Sequence, residues 1–584
     1  MIEELTRAGV EHVSIAPGSR STPLVLALAA ADVFTLHVHL DERSAAFFAL
    51  GVGKATRRPA AVVTTSGTAA ANLLPAVVEA SQSETPLLLL TADRPIALRG
   101  ADANQAIDQV RLFGGYVRAF FECAHPEVED RALRHLRQTA ARAVALAMGP
   151  DPGPVHLNVP FAKPLEPTPV PGDLPERFAD EHPRAASGRP EGGAYTQVVT
   201  PRVAVDEPTV RLLAQAVSGA SRGLLVAGPA LDDRRTARAL EKARALSDFP
   251  LLADPLSGAR RTHLLQTPAV AAYDLFLGRG SVRDALAPDL VLRFGASPTS
   301  QRLLDWLEAL DVPQIVIDPG ARWKDHLAVA TTLVRADPLE AMEALAGALK
   351  GGWSHPSWNA RWAAADEAAR TALAEAFAGE AFEGLVAARV ADALPDGATL
   401  FVSNSMPIRD VDAYVLPAAR DLRILGNRGA SGIDGIVSTA FGVASSSAGP
   451  TAALVGDLAF VHDMNGLLAA REEGAALVLV LVHNDGGGIF HRLPIRTHEP
   501  EFTRFFATPH GLDFRHAAAL YDLPFSSVAA ADVGDAVRAA LAAGGVRIVE
   551  VRTDRDAVHR RQRAVADAVQ DAVERALSHE PTRG

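Results

Sequence analysis

The feature of this sequence that most constrains its fold is a repeated alternation between short runs rich in valine, isoleucine and leucine and longer alanine-rich segments. Short apolar runs of this kind predict buried strands, and the alanine-rich segments predict helices. Strands that alternate with helices form βαβ units, which build a parallel sheet covered by helices on both faces. The sequence therefore predicts an α/β protein.

This alternation occurs in three separate parts of the chain. In the first part the predicted strands are Val13–Ala16, Thr35–Leu40, Ala60–Thr65 and Pro86–Thr91, and the predicted helices are Ala45–Lys54 and Ala69–Ala80. In the second part the predicted strands are Gly223–Ala227, Leu251–Ala253, Leu290–Phe294 and Gln314–Asp318. A helical stretch near Ala360–Ala378 leads into the third part, where the predicted strands include Thr399–Val402, Ala452–Val455, Leu477–His483 and Val546–Val551.

The length of the chain and a change in its composition suggest where the domains lie. A chain of 584 residues is too long for one hydrophobic core. Between Pro164 and Glu207 the sequence becomes rich in proline, glycine, glutamate and arginine, which indicates a crossing between domains. We therefore predict three doubly wound parallel-sheet domains, at residues 1–170, 195–350 and 375–570.

The charge and the cysteine count exclude several classes of protein. A net charge of −12 argues against a general nucleic-acid binder, which needs a basic face. Cys123 is the only cysteine, so a disulfide within the chain is impossible. The longest apolar runs are far shorter than a membrane span. We therefore expect a cytoplasmic protein with small-molecule rather than nucleic-acid or membrane partners.

The sharpest chemical signal lies in the third part of the chain. Asp457, in Gly456-Asp457-Leu458, and Asn484, followed by Asp485-Gly486-Gly487-Gly488, each come directly after a predicted strand. Ligands of open α/β sheets bind at these strand ends, and carboxylate and amide oxygens suit Mg²⁺ that bridges a diphosphate. Taken singly, each motif is more typical of an ordinary turn than of a metal site. The strand–helix–strand spacing between Asp457 and Asn484 favours the metal site.

A second signal opens the helix that follows Thr35–Leu40. Asp41 has the character of an N-cap, and Glu42 follows it in the first turn, where the helix dipole favours an acid. The alternative to a functional role is therefore ordinary capping.

A third signal consists of polar loops that carry arginine after predicted strands. These loops contain Ser19-Arg20, Ser300-Gln301-Arg302, Ser405 with Arg409, and Arg428. Arginine at a strand end suits a bidentate carboxylate, whereas a lone arginine is more often a surface charge. Several together indicate a substrate with more than one carboxylate. Arg260-Arg261 together with Arg302 form a further candidate, an anion pocket for an acidic regulator, for which scattered surface arginines are the alternative.

The motifs together resemble one enzyme family. The segments that carry the resemblance are IAPGSRSTPL, HLDERSAAFFALG, TTSGTAAANLLPAVVEA, LTADRP with NQAIDQ, GNRGASGIDG, GDLAFVHDMNGL and HNDGGGIFHRLP. They are similar to the 2-succinyl-5-enolpyruvyl-6-hydroxy-3-cyclohexene-1-carboxylate synthases, which are thiamine-diphosphate enzymes of menaquinone biosynthesis. Leu458 and Asp485 depart from the general thiamine-diphosphate fingerprint, Gly-Asp-Gly followed by Asn-Asn, in a way that agrees with this family.

The resemblance implies an activity, cofactors and an assembly. The family decarboxylates 2-oxoglutarate and adds the remaining fragment to isochorismate by 1,4-addition, with thiamine diphosphate and Mg²⁺ or Mn²⁺. A glutamate from one copy reaches the cofactor of another, which implies at least a homodimer.

It also implies roles for particular residues. Glu42 resembles the cofactor activator, Ile433 the apolar residue that bends the cofactor, and Asp457, Asn484 and the Gly486 carbonyl the metal ligands. The substrate-facing set comprises Ser19, Arg20, Asn104, Gln105, Arg302, Ser405, Arg409 and Arg428. Within that set, Arg409 and Arg428 are candidates for catalysis and Ser405 also for cofactor binding.

Three other functions are compatible with the same scaffold. A carboligase of the acetolactate synthase type often takes pyruvate-sized substrates and needs fewer arginines than this chain carries. A non-catalytic, cofactor-binding regulator would be expected to lose Glu42 or the metal pair, and both are present. A flavin-dependent oxidase would place a dinucleotide loop in the second part of the chain, where no convincing one occurs.

Overall fold

The computed structural model describes residues 1–578 except 125–126, 169–170, 172–174, 190, 231–232, 321, 350–353 and 473. The chain forms two compact units. Unit 1 comprises Met1–Thr200, Asn427–Ala448 and Ala459–Leu477, and unit 2 comprises Pro201–Gly426, Gly449–Leu458 and Val478–Gly584.

The described strands form three sheets. Those of the first sheet are β1 His12–Ile15, β2 Thr35–Val38, β3 Ala60–Thr64, β4 Leu87–Asp93, β5 Ala119–Glu122 and β6 Pro154–Pro160. Those of the second are β7 Gly223–Ala227, β8 Leu251–Ala253, β9 Leu290–Phe294, β10 Gln314–Ile317 and β11 Thr332–Val334. Those of the third are β12 Ala398–Val402, β13 Leu422–Gly426, β14 Thr451–Gly456, β15 Leu477–His483, β16 Phe525–Val528 and β17 Val546–Arg552.

The strand orders are β2-β1-β3-β4-β6-β5, β11-β10-β9-β7-β8 and β13-β12-β14-β15-β17-β16. Pairings along each sheet are parallel, as in β3 with β4, β7 with β9, and β14 with β15. The predicted α/β class with three parallel sheets is confirmed. The domain limits proposed from the sequence stay predictions.

Helices separate most consecutive strands. In the amino-terminal third they are α1 Ile2–Arg7, α2 Thr22–Ala31, α3 Glu42–Thr56, α4 Thr68–Ala71, α5 Leu74–Gln82, α6 Asp130–Met148, α7 Phe178–Glu181 and α8 Pro183–Ser187. In the middle they are α9 Glu207–Gly219, α10 Asp233–Ser247, α11 Tyr273–Phe276, α12 Gly280–Ala285, α13 Gln301–Ala309, α14 Pro338–Ala348 and α15 Pro356–Ala378. The remainder are α16 Glu383–Ala393, α17 Met406–Tyr414, α18 Ile436–Ser446, α19 Asp457–His462, α20 Arg515–Leu520, α21 Val533–Ala543 and α22 Arg555–Ser578.

One helix prediction needs correction. The segment Ala69–Ala80 forms two helices, α4 and α5, rather than one. Pro75 lies in the first turn of α5, where its missing N–H costs nothing, whereas in the interior of one continuous helix it would lack the hydrogen bond to the Ala71 carbonyl and its ring would crowd that carbonyl. A new helix therefore begins at Leu74, directly before this proline.

In the first sheet the central strands are more deeply buried than the edge strand β2. Every residue of β3, β4 and β6 is buried, whereas the edge strand β2 exposes Thr35 and Val38. Central strands of a parallel sheet are covered on both faces, which accounts for their continuous apolar runs. Cys123 is buried as a free thiol. Among the described residues, we find no helix that has both the length and the apolar character of a membrane span.

Candidate active site

Asp457 and Asn484 lie side by side at the carboxyl end of the third sheet. Asp457 directly follows β14 and Asn484 directly follows β15, and these strands are paired neighbours. The Asp457 carboxylate accepts hydrogen bonds from the backbone N–H groups of Asn484 at 3.2 Å and Gly486 at 3.0 Å. Both side chains are buried. The structure thus brings together the residues that the sequence predicted as metal ligands.

The donor atoms at this place fit a hard divalent cation. The Asn484 side-chain Nδ2 donates to Glu383 at 2.8 Å, while its Oδ1 is buried without a hydrogen-bond partner among the described residues. Gly486 has a φ of +136°, and a Cβ there would lie 2.0 Å from the Ala507 carbonyl oxygen. A buried amide oxygen with no partner is costly unless a cation or water satisfies it. A carboxylate, this amide oxygen and a glycine backbone suit Mg²⁺ or Mn²⁺.

Two histidines that sequence reasoning missed surround the Asp457 carboxylate. Ligand atoms of Asp457, His483 and His510 all lie within 4.8 Å of one another. The His510 Nδ1 accepts a hydrogen bond from the Leu512 backbone N–H at 3.1 Å, so the neutral ring carries its proton on Nε2, 3.3 Å from Asp457. His510 in this tautomer donates to the carboxylate and does not act as a ligand. His483 is the last residue of β15, whereas His510 lies away from any strand end, and no local pattern in the sequence connects the two.

Glu42 is the first residue of α3, as the sequence predicted. Asp41 is the N-cap, and its side chain accepts from the Arg43 backbone N–H at 2.8 Å. The Glu42 carboxylate accepts from the Asn72 side chain at 3.3 Å. Capping therefore falls to Asp41, which leaves the Glu42 side chain available for another role.

Ser19 and Arg20 form a tight turn after β1. A Cβ on Gly18 would lie 2.3 Å from Thr65, so only glycine allows this approach. Arg20 donates to the Phe161 carbonyl at 2.8 Å and is 8% exposed. Burial, followed by the nearby Arg94 guanidinium, lowers the pKa of Arg20.

Asn104 and Gln105 lie in the same unit, in the segment after β4. Arg94 donates to the backbone carbonyl of Asn104 and to the Ser66 hydroxyl. Gln105 has a φ of +55° and packs against Gly67. Arg94, which follows β4 directly, is a residue that the sequence analysis overlooked, and it holds the position of the Asn104 loop.

The loop Asn427–Gly435, which carries Arg428 and Ile433, belongs to unit 1. Its backbone N–H groups at Gly429 and Ala430 donate to the Glu79 carboxylate at 3.0 and 2.6 Å. Glu79 also pairs with Lys54 at 3.1 Å. Burial lowers the pKa of Lys54, and Glu79 partly opposes that shift. The buried ion pair of Lys54 and Glu79 therefore holds the Asn427–Gly435 loop in place.

The end of this loop is held by close packing. Gly435 has a φ of +64°, and a Cβ there would lie 1.9 Å from the Phe47 ring. Asp463 accepts from the Ser438 backbone N–H at 2.7 Å and from its hydroxyl at 3.1 Å. Burial raises the pKa of Asp463 to about 6. Asp463 thus caps the start of α18.

Arg302 and Arg409 line one cleft in unit 2. Ser405 has a φ of +69° and is the N-cap of α17, and its carbonyl accepts from Arg409 at 2.6 Å. Arg302 donates to the Asp274 carbonyl at 2.9 Å. Two further arginines that the sequence analysis did not select, Arg492 and Arg563, line the same cleft.

A buried acid lies among these arginines. Gln562 donates to the Asp410 carboxylate at 2.8 Å, and Asp410 is 4% exposed. Burial, followed by repulsion from Glu383, raises the pKa of Asp410 well above its usual range. The cleft thus combines four arginines with two acids, Asp274, which pairs with Arg302 at 3.7 Å, and Asp410, whose ionisation is suppressed, so that its lining carries a net positive charge.

Arg260 and Arg261 do not join this cleft. Arg260 is buried and forms an ion pair with Asp412, and Arg261 pairs with Asp392 at 2.7 Å. Because both guanidinium groups contact carboxylates of their own unit and neither lines the cleft of Arg302, the predicted anion pocket of Arg260, Arg261 and Arg302 is wrong.

Comparisons with known proteins show which family the chain is similar to. Three family models match the chain: the N-terminal TPP binding domain of thiamine pyrophosphate enzymes at residues 1–112, the middle domain of thiamine pyrophosphate enzymes at 206–402, and the C-terminal TPP binding domain at 412–551. A 2-succinyl-5-enolpyruvyl-6-hydroxy-3-cyclohexene-1-carboxylate synthase of Halobacterium salinarum is 50% identical, with 97% of each chain covered. This chain belongs to that synthase family.

Other members of the synthase family give the same result. The synthase of Haloarcula marismortui is 46% identical over 99% of this chain and 98% of its own. That of Geobacillus thermodenitrificans is 44% identical over 95% and 92%. A solved structure of an enzyme described as thiamin diphosphate-dependent, from Mycobacterium smegmatis, has a TM-score of 0.69 at 20% identity and covers 94% of this chain and 98% of its own. That likeness concerns the fold. The chain is a thiamine-diphosphate-dependent enzyme of the synthase family.

Proposed function

We propose that this chain decarboxylates 2-oxoglutarate and adds the resulting four-carbon unit to isochorismate. The products are 2-succinyl-5-enolpyruvyl-6-hydroxy-3-cyclohexene-1-carboxylate and CO₂. The observation that carries the proposal is the pairing of Asp457 with Asn484, whose free Oδ1 suits a diphosphate-bound cation. The names of the relatives support this activity over one of the acetolactate synthase type.

Several residues would hold the cofactor and its metal. Thiamine diphosphate, when bound, supplies the electron sink for the loss of CO₂ and the formation of the new carbon–carbon bond. Asp457, the Asn484 Oδ1 and the Gly486 carbonyl would hold Mg²⁺ or Mn²⁺. Glu42 would exchange a proton with the cofactor of a second copy of the chain, and Ile433 would press against that cofactor. The enzyme would therefore work as a homodimer or a larger assembly.

The remaining residues would hold the substrates. Each substrate carries two carboxylates, and the cleft of Arg302 and Arg409 offers the bidentate donors that carboxylates prefer. The other members of the proposed substrate set are Ser19, Arg20, Asn104, Gln105, Ser405 and Arg428, with Arg409 and Arg428 also acting in catalysis and Ser405 also touching the cofactor. We place the enzyme in the cytoplasm because such multiply charged metabolites do not cross membranes unaided.

A direct assay tests the proposal. Purified protein is mixed with thiamine diphosphate, Mg²⁺ and 2-oxoglutarate, and the loss of isochorismate is followed by its absorbance. We expect a loss that requires every component and that Glu42→Gln abolishes. Release of CO₂ from a different 2-oxo acid, with no loss of isochorismate, would agree with the proposed cofactor chemistry but contradict the proposed substrates.

A further inference from the structure

A second buried carboxylate, Glu383, lies directly behind the proposed metal site. It is the first residue of α16 and is 3% exposed. One of its oxygens, Oε1, accepts from the Asn484 side-chain Nδ2 at 2.8 Å and from the Thr553 hydroxyl at 2.9 Å. All three residues lie in unit 2.

This contact decides which end of the Asn484 amide faces the metal. An asparagine amide can present its oxygen or, after a half turn, its nitrogen, and only the oxygen binds a cation. The Glu383 Oε1 also accepts from the Thr553 hydroxyl, so this oxygen faces the Asn484 amide as an acceptor. Glu383 therefore attracts Nδ2 and repels Oδ1, which leaves Oδ1 buried and without a partner on the opposite side.

The backbone around Asn484 is already held by other groups. Its N–H donates to Asp457 at 3.2 Å, and its carbonyl accepts from Arg555 at 2.9 Å. These bonds do not fix the rotation of the Asn484 side-chain amide, and Glu383 constrains that rotation.

We propose that Glu383 is a positioning residue that holds the Asn484 amide with its oxygen toward the metal. The inference rests on the proposed metal site and adds to it a residue outside the ligand set. Groups that orient metal ligands typically change metal affinity by about 10- to 100-fold when they are removed. The competing explanation is that Glu383, Asn484 and Thr553 form a purely structural cluster.

Binding of Mn²⁺ separates the two explanations. In the full-length enzyme with saturating thiamine diphosphate and no substrate, free Mn²⁺ is measured by its electron paramagnetic resonance signal. We expect Glu383→Ala to weaken Mn²⁺ binding about 10- to 100-fold. Glu383→Gln should have a smaller effect, because glutamine can accept as before or turn and donate. Thr553→Val, which removes the other hydrogen bond to Glu383, should change the affinity by less than about threefold, and circular dichroism melting monitors folding.

A double-mutant cycle with Asn484→Ala tests whether Glu383 acts through Asn484. In that background Glu383→Ala should cause no further loss of Mn²⁺ affinity. An equal loss in both backgrounds, or a lowered melting temperature with unchanged Mn²⁺ affinity, would overturn the inference. Should Glu383→Ala fail to fold, Glu383→Gln is carried through the same cycle. If the unmutated enzyme binds no Mn²⁺ with the cofactor, the metal site of the proposed function fails as well, and that result is distinct from either of the others.

Discussion

The Glu79 carboxylate accepts a hydrogen bond from the backbone N–H of Ala430 at 2.6 Å, across 351 positions of the sequence. The same carboxylate pairs with the buried Lys54 ammonium at 3.1 Å. One buried ion pair therefore anchors the loop that carries Arg428 and Ile433, so that the stability of the fold and the shape of the proposed site depend on the same contact.

Removal of the Glu79 charge should destabilise the protein. Glu79→Gln removes the carboxylate that pairs with the buried Lys54 ammonium, and breaking a buried pair in this way costs about 3–5 kcal/mol. Deprotonation of Lys54 relieves part of that cost, since its pKa is already lowered by burial. We therefore expect a loss of about 2–4 kcal/mol in the free energy of unfolding by urea. Glu79→Gln combined with Lys54→Met should recover part of the loss, and equal stability of the single and double variants would contradict this account.

The arginine cleft predicts a selective effect on substrate affinity. A hydrogen bond to a charged group contributes about 1.5–3 kcal/mol, which corresponds to a change of about 10- to 100-fold. We expect Arg302→Met and Arg409→Met each to raise the KM for at least one of the two proposed substrates by that factor. Arg538, an exposed residue of α21 that pairs with Asp535, provides a matched control, and Arg538→Met should leave the KM for either substrate unchanged. An effect of Arg538→Met as large as that of Arg409→Met would point to net charge instead of the cleft.

Gly435 should tolerate no side chain. It has a φ of +64°, and an added Cβ would lie 1.9 Å from the Phe47 ring. Gly100 has nearly the same φ, +67°, but nothing lies within 4 Å of an added Cβ. Gly100→Ala should cost about 1–2 kcal/mol for the left-handed backbone alone. Gly435→Ala should cost several kcal/mol more and lower activity through the Ile433 loop; similar melting temperatures for the two variants would show that Phe47 moves aside.

His156 makes the first sheet sensitive to acid. Burial lowers its pKa from 6.5 to about 3, and its Nε2 lies 2.7 Å from the Thr91 hydroxyl. Below pH 6.5 the unfolded chain binds a proton that the folded chain does not, so the free energy of unfolding falls as the pH decreases toward 3.

The variant His156→Gln, which lacks the ionisable imidazole, isolates the contribution of His156 to the pH dependence of the free energy of unfolding. His156→Gln should be less stable than the unmutated protein at about pH 7 because it loses packing. Between about pH 7 and about pH 5 the difference between the two proteins should shrink by about 2 kcal/mol, since each unit of pKa shift corresponds to about 1.4 kcal/mol. The measurement is urea unfolding at both pH values. A constant difference would show that His156 does not titrate in this window.

Sequence periodicity predicted several of the strands that are buried on both faces, although β6, all of whose residues are buried, was not predicted. The runs Gly223–Ala227, Leu290–Phe294 and Leu477–His483 are strands in the structure with the predicted limits. The edge strand β16 was not predicted, because its central residues Ser526 and Ser527 are exposed and polar residues in a short run leave no apolar signal. The predicted strands that are buried on both faces were sufficient to indicate the α/β class of the fold.

Local pattern also located the loops of the candidate site, since an Asp, an Asn or a glycine just after an apolar run marks a strand end whatever surrounds it. The loops of Asp457 and Asn484 were located in this way, whereas Glu42 was selected only through the resemblance to the enzyme family. Local pattern could not predict which residues that are distant in the sequence contact each other in the fold. Glu383 lies 101 positions from Asn484 and Glu79 lies 351 from Ala430, and a single buried carboxylate in an alanine-rich helix has no periodic signature. Only the packing of strands and helices brings such a group to its partner, because hydrogen bonds and buried charges act over a few ångströms of space and not along the chain.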